Sequence, residues 1–403
     1  MTYQFAERIG SMAPSAIREI LKVTQDPTVI SFAAGNPAAE SFPAAEMAEI
    51  SADLLTNRYA SALQYGISEG YAPLRAQLAE RMQTKYATGT ENDDLLIVSG
   101  GQQGIEMTAK IFCNSGDTVV CEAPSFVGAL NAFRSFGLNL KGIPMQEDGI
   151  DVDALEDYLK KDSRVRLLYV IPTFQNPTGL TMSLAKRLRL LELAERYNFL
   201  ILEDSPYFEL RYSGEWVPTM KSLDKSGRVI FVGSFSKIIA PGIRVGFVIA
   251  DKQIISKLTV AKQVSDVHTN LFFQMVISEY MKRHDLDAHI AQTCAFYTHK
   301  RDTMLAAMEK ALPEEISWIR PDGGLFIWCT LPQGADSMAF CSMASKQKVA
   351  AVPGVSFAAD ANEISPSFRV NFSLPTDEQI EKGMQILGRT AEEYLAELTK
   401  AGK

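Results

Sequence analysis

No stretch of this sequence is apolar for long enough to span a bilayer. The opening Met-Thr-Tyr-Gln-Phe-Ala-Glu-Arg lacks the charged-then-apolar layout of a secretory signal. Histidine is sparse: His268, His284, His289 and His299 make no metal-ligand spacing on a candidate site, so no metal is expected. The five cysteines (Cys113, Cys121, Cys294, Cys329 and Cys341) are odd in number and form no Cys-x-x-Cys pair. That usage points to reduced, mostly buried thiols in a cytoplasmic protein. A basic excess is also missing. The net charge of −8 argues against nucleic acid or an anionic membrane as partner. The one basic patch, Lys160, Lys161, Arg164 and Arg166, is interrupted by Asp162 and reads as a solvated helix end. Internal repeats and low-complexity tracts are absent as well.

What is present is an ordinary globular composition on a chain of 403 residues, beyond the size at which one core stops growing, so two packed domains are expected. Between residues 95 and 250, seven short β-rich runs (95–98, 118–122, 138–143, 167–171, 199–202, 229–232 and 245–249) alternate with helical patterns. In one of these, residues 183–197, Leu184, Leu188 and Leu191 recur at helical spacing. This rhythm predicts an α/β fold with a mainly parallel seven-stranded sheet covered on both faces. From about residue 290 the rhythm changes to a long helix over 291–312 and then isolated strands, a smaller α+β domain. The expected division is an N-terminal arm joined to the small domain (1–45), a large domain (46–290) and a small C-terminal domain (291–403).

Ligands of such sheets bind beyond the carboxyl ends of the strands, so the residues following each run are the candidates for chemistry. Ser-Gly-Gly-Gln-Gln-Gly (99–104) follows a strand and opens a helix, a turn whose amides and helix dipole suit a phosphate. Alone it decides nothing. It misses a dinucleotide fingerprint only at the first glycine, and Glu122 stands at a distance suited to a ribose, so a nicotinamide oxidoreductase stays open at this point. Three further strand ends add Gln175-Asn176-Pro-Thr-Gly, then Glu203-Asp204-Ser-Pro-Tyr207, then Ser234-Phe-Ser236-Lys237 followed by Arg244. Singly, each has a bland reading as turn, cap or surface charge. In this order they bring amide, carboxylate, phenol, hydroxyls, amine and guanidinium to one cleft.

These motifs, with Ser367-Phe-Arg369-Val-Asn-Phe-Ser, resemble the fold-type I, class I aminotransferases, and specifically the 2-aminoadipate and kynurenine subgroup, from Ser15-Ala-Ile-Arg18 to the C-terminal helix. The resemblance implies pyridoxal 5′-phosphate as cofactor, held as a Schiff base on Lys237, which would also shuttle the proton. It implies that Asp204 keeps the pyridine nitrogen protonated and that Asn176 and Tyr207 donate to the phenolate oxygen. Phe126 would stack on the ring, and Gly101 and Gln102 amides with Ser234, Ser236 and Arg244 would hold the phosphate. Where most of the subgroup has serine this chain has Gly101, which removes one hydroxyl contact. Arg369 would grip the substrate carboxylate, Gly35 would allow a close backbone approach, and Tyr65 would reach the neighbouring subunit's phosphate. In that subgroup a short helix covers the site, and the resemblance implies that Ser15 and Arg18 match positions on it: turned inward, Arg18 would read a distal carboxylate, and swung out it would admit apolar or aromatic side chains, the alternative being a surface pair with Glu19 or Asp26.

The expected activity is transamination between an L-amino acid (2-aminoadipate or glutamate, aromatic or aliphatic) and a 2-oxo acid, 2-oxoglutarate foremost, in a homodimer. A lyase on the same fold is the alternative. A transcription factor carrying a winged helix is disfavoured, because only about a dozen residues precede the arm.

Overall fold

The computed structural model describes residues 3–10, 26–360 and 364–400. Its strands, in chain order, are β1 (Ile30–Ser31), β2 (Asp93–Val98), β3 (Thr118–Ala123), β4 (Asn139–Gln146), β5 (Gly149–Ile150), β6 (Val165–Val170), β7 (Leu200–Asp204), β8 (Val229–Ser234), β9 (Gly246–Asp251), β10 (Ser317–Trp318), β11 (Phe326–Thr330), β12 (Val349–Ala350), β13 (Val352–Pro353) and β14 (Ser367–Asn371). Eight of them form one sheet in the order β2-β9-β8-β7-β6-β3-β4-β5. All seven expected strands are there. The eighth, β5, is a two-residue hairpin partner of β4.

The sheet's central pairings, β4-β3-β6-β7-β8, are parallel, and β9 runs antiparallel between β8 and β2. Two consequences position the site. Progress along the sheet reverses at β3, which stands next to β6, so the crevice opens where the loops after β3 and β6 part. Because β9 runs the other way, its amino end, preceded by Arg244, reaches the same rim as the carboxyl ends of β2 and β8. A continuously buried run such as β8 is the pattern expected of a strand covered on both faces.

A smaller antiparallel sheet, β10-β11-β14-β13, carries Arg369 on β14, between Trp328 and Val352 of its neighbours. Near the other end of the chain, β1 pairs with β12, so the segment entering at residue 26 is fastened to residues 349–350.

The helix Leu184–Tyr197 forms where expected, capped by Ser183, but a different face is buried. Leu184 and Leu188 are each 44% exposed, whereas Arg187, Leu190, Leu193 and Ala194 are buried. The reason is Arg187. Its guanidinium donates to the carbonyls of Met182 (3.0 Å), Pro218 (2.9 Å) and Pro172 (2.6 Å) and to Thr173 Oγ1 (2.9 Å), which satisfies a buried cation and braces the loop after β6. Burial still lowers its pKa to about 10, with Glu203 opposing.

Arg187→Met should strand several buried acceptors at once. We expect a loss of roughly 3–5 kcal/mol of stability, seen as a lower urea midpoint at unchanged slope. A loss below about 1 kcal/mol would show that water replaces the guanidinium.

Candidate active site

The loop after β6 is built to present Asn176. Gln175 accepts from Thr178 N (2.9 Å) and Thr178 Oγ1 (2.7 Å) and donates to Pro124 O (2.8 Å) and Glu122 Oε2 (3.2 Å). This ties the loop to itself and to β3. Asn176 is left facing a cavity of 390 Å³, into which Asp204, Tyr207, Ser234, Ser236 and Lys237 also reach from the ends of β7 and β8. A second cavity, of 320 Å³ beside Arg75 and Asp94, holds none of the expected site residues.

Electrostatics in the main cavity are dominated by desolvation. Burial, aided by the positive charges of Arg369 and Arg244, lowers the Lys237 amine from 10.5 to about 8, and its Nζ donates to Gly35 O at 2.7 Å. Burial pushes Asp204 up to about 7, against the hydrogen bond that Tyr169 donates to its Oδ2 at 2.7 Å. The Tyr207 phenol is raised by burial, with Arg369 and its hydrogen bond from Asn176 pulling the other way. Arg369 is lowered to about 10 by burial, opposed by Tyr207, and stays a cation at neutral pH.

Arg369 is held in a fixed plane. Its guanidinium carbon lies 4.0 Å from the ring centre of Phe326 and 4.9 Å from that of Phe357. One terminal nitrogen donates to Asn176 Oδ1 and the other to Ala33 O, both at 2.8 Å, while the buried Nε has no partner among the described residues. A Cβ on Gly35 would sit 3.0 Å from the Phe326 ring, so the arm's backbone lies close here.

At the other end of the cavity, the helix Gly101–Phe112 begins with no side-chain cap, and Gly100 precedes it at a φ of 79°. A Cβ on Gly100 would lie 2.2 Å from Arg244 Nη2, which donates to Ser99 O at 3.2 Å. Open helix amides, Arg244 and the Ser234–Ser236 hydroxyl pair (2.9 Å apart) form a cradle for an anion with several oxygens. The cradle is braced from behind. The buried Lys262 amine donates to Gln103 Oε1 (2.7 Å) and Asp266 Oδ1 (2.9 Å), and Asp266 Oδ2 accepts from Ser99 Oγ (2.7 Å) and Gln103 Nε2 (2.8 Å).

Thus Gly35, Gly101, Gln102, Phe126, Asn176, Asp204, Tyr207, Ser234, Ser236, Lys237, Arg244 and Arg369 all line one cavity. Tyr65 does not. It is 81% exposed on the outer surface, edge-on to His268. Ser15 and Arg18 lie outside the described residues. Glu122 does not face the cavity as a ribose ligand would. Its carboxyl is buried, pushed up to about 8 by desolvation, and accepts from Ile171 N and Gln175. Sequence reasoning missed Tyr169 and Phe326. A tyrosine inside the apolar run 167–171 needs a partner for its hydroxyl, which was the available signal for the first. Phe326 carried no signal beyond strand pattern.

The family model for aminotransferase class I and II matches residues 27–387. Among curated proteins, the aromatic-amino-acid aminotransferase 1 of Thermococcus litoralis is 42% identical over 395 residues, covering 97% of this chain and 94% of its own. Among solved structures, the Pyrococcus horikoshii kynurenine aminotransferase, in complex with PMP, is similar at a TM-score of 0.93 and 40% identity, covering 96% of this chain and 97% of its own. The Thermus thermophilus α-aminoadipate aminotransferase, complexed with N-(5′-phosphopyridoxyl)-L-leucine, is similar at 0.89 and 37%, covering 97% and 98%.

A depressed amine should be nucleophilic at lower pH than ordinary lysines. After hydroxylamine dialysis to free it, Lys237 should be labelled by trinitrobenzenesulfonate with a midpoint near pH 8, read by peptide mass spectrometry. A midpoint matching that of the surface lysines would show that the cavity does not desolvate the amine.

Proposed function

This chain belongs to the class I and II aminotransferases and is an enzyme of that family that works with pyridoxal 5′-phosphate; we propose that its main cavity is where the amino group is exchanged between an L-amino acid and a 2-oxo acid. The observation that carries this is the convergence of an amine (Lys237), a carboxyl (Asp204) and a guanidinium (Arg369) on one cavity.

The residues present suit the cofactor. Uncapped amides at Gly101 and Gln102, with Ser234, Ser236 and Arg244, would hold its phosphate, and Phe126 would pack on its ring. When bound, pyridoxal 5′-phosphate supplies an electron sink for the substrate α-carbon. Asp204 would keep a proton on the ring nitrogen, and Asn176 and Tyr207 would donate to the phenolate oxygen. Lys237 would be the attachment point. Once freed by the incoming amino group, its Nζ would take the α-carbon proton, a task suited to an amine already lowered to about 8. Arg369, planar between two rings, would grip the α-carboxylate by its fork, with Gly35 keeping the backbone close.

The donors we propose are 2-aminoadipate or glutamate, aromatic and aliphatic L-amino acids, with 2-oxoglutarate as acceptor. The aromatic-amino-acid, kynurenine and α-aminoadipate activities named for the similar proteins support this range. We further propose a homodimer in which Tyr65 completes the partner's phosphate site. Its support is the exposure of Tyr59, Leu63, Tyr65 and Ile67 on one segment and of Val264 and Val267 on another, which His268 ties to the first by accepting from Gly66 N (3.2 Å). The pairing of β1 with β12 supports residues 1–45 as part of the small domain. Five free thiols support a cytoplasmic location.

A half-reaction screen tests the activity: holoenzyme mixed with single L-amino acids should lose the absorbance of its bound cofactor only with true donors. Lys237→Ala should fold and turn over negligibly, and borohydride reduction of the native protein should fix the cofactor mass on Lys237. Cofactor mass on another lysine would overturn the assignment. Tyr65→Ala and Lys237→Ala subunits, each nearly inactive, should regain activity when mixed, since one site of the hybrid carries neither lesion. An active monomer by light scattering would rule out the shared site.

A further inference from the structure

Asp204 enters the cavity from the end of β7, and its carboxyl has two unlike oxygens. Oδ2 points back into the sheet, where the hydroxyl of Tyr169 on β6 donates to it at 2.7 Å. Oδ1 lies on the side of Gly101, where a Cβ would stand 3.9 Å away, and Gly101 lines the cavity. Among the described residues no other hydrogen bond reaches this carboxyl. Tyr169 itself is fully buried, with its ring edge-on to Phe133 at 5.6 Å and 72°. We infer that Tyr169 is a positioning residue of the reaction: its phenol occupies one oxygen of Asp204, aims the other at the cofactor's ring nitrogen and holds the carboxylate in its anionic form. This rests on the role proposed above for Asp204.

The chemistry is the placement of one proton. Between a carboxylate and a pyridine nitrogen that proton sits on nitrogen only while the carboxylate is the better-stabilised anion. Burial works against the anion here. Among the described residues Tyr169 is the one donor that opposes it. It stays a donor, because burial and the neighbouring Asp204 both raise its own pKa far above the usual range. Without the phenol, the proton returns from nitrogen to the carboxyl, no net charge is gained or lost, and the ring becomes a poorer electron acceptor.

The test uses holoenzyme reconstituted with cofactor labelled with ¹⁵N at the ring nitrogen. In Tyr169→Phe the ¹⁵N shift should move from the pyridinium value toward pyridine at constant pH. kcat should fall about ten- to a hundredfold, the worth of one hydrogen bond to an ionised group, with KM for the amino acid changing far less. Tyr169→Met, a second way to delete the hydroxyl, should move the shift in the same direction. An unchanged ¹⁵N shift in both variants, whatever happens to kcat, would overturn the inference. Asp204→Asn separates this from the reading beneath it. Its ¹⁵N shift should move regardless of Tyr169, and adding Tyr169→Phe to it should change nothing more. If Asp204→Asn leaves the ring nitrogen protonated, the assignment of Asp204 fails instead.

Discussion

Three ionisable side chains, Lys237, Asp204 and Arg369, line one cavity where burial disfavours their charged forms, and the cost of desolvating them shapes what surrounds each one. Among the described residues none is paired with an opposite charge in a simple salt bridge. Each is met by a neutral partner of defined geometry: the Gly35 carbonyl for the amine, the Tyr169 phenol for the carboxyl, and Asn176, the Ala33 carbonyl and two phenyl rings for the guanidinium. Neutral partners stabilise the charged forms only partly. The amine and the carboxyl therefore sit near neutral pH, at about 8 and about 7, where a proton can be exchanged cheaply.

That arrangement demands loops that do not yield, and the fold supplies a brace behind each. Arg187 holds the carbonyls of the loop after β6, Gln175 and Glu122 lock that loop to β3, and Lys262 with Asp266 fixes the turn before the helix that faces the anion cradle. These braces are themselves charged or polar, and all but Asp266 are buried. In isolation each would destabilise the protein. They are tolerated because nearly every donor finds a partner, and a satisfied buried network is stiffer than an apolar one. The Lys262 brace also reaches the segment carrying Val264, Val267 and His268, so the cradle and the exposed apolar surface beside Tyr65 share a support.

Much of this was legible in the sequence. Seven strands, the helices between them and the strand ends and loops that carry Asn176, Asp204, Tyr207, Ser234, Ser236 and Lys237 follow from hydrophobic period and turn residues. Both are local properties, fixed by the pleat and by backbone preferences within a few positions. The motifs at the strand ends stand out because a buried strand must stop where polar groups begin. What local pattern could not give was phase and partnership. Leu184 and Leu188 have the spacing of a buried face, yet Arg187 is the residue inside, since four acceptors from other loops make its burial possible. Glu122 has the spacing of a ribose ligand, yet Gln175 and Ile171 claim its carboxyl.

The sequence by itself therefore determined which residues stand at the rim of the sheet and what chemistry they offer. Only the tertiary structure decided which of them meet, because the hydrogen bonds that hold them join residues far apart in the chain: Arg369 with Asn176 across 193 positions, Lys237 with Gly35 across 202 and Asp204 with Tyr169 across 35. A hydrogen bond between distant residues leaves no period in the sequence. It exists only once the sheet has closed the distance and removed the water that would otherwise compete for it.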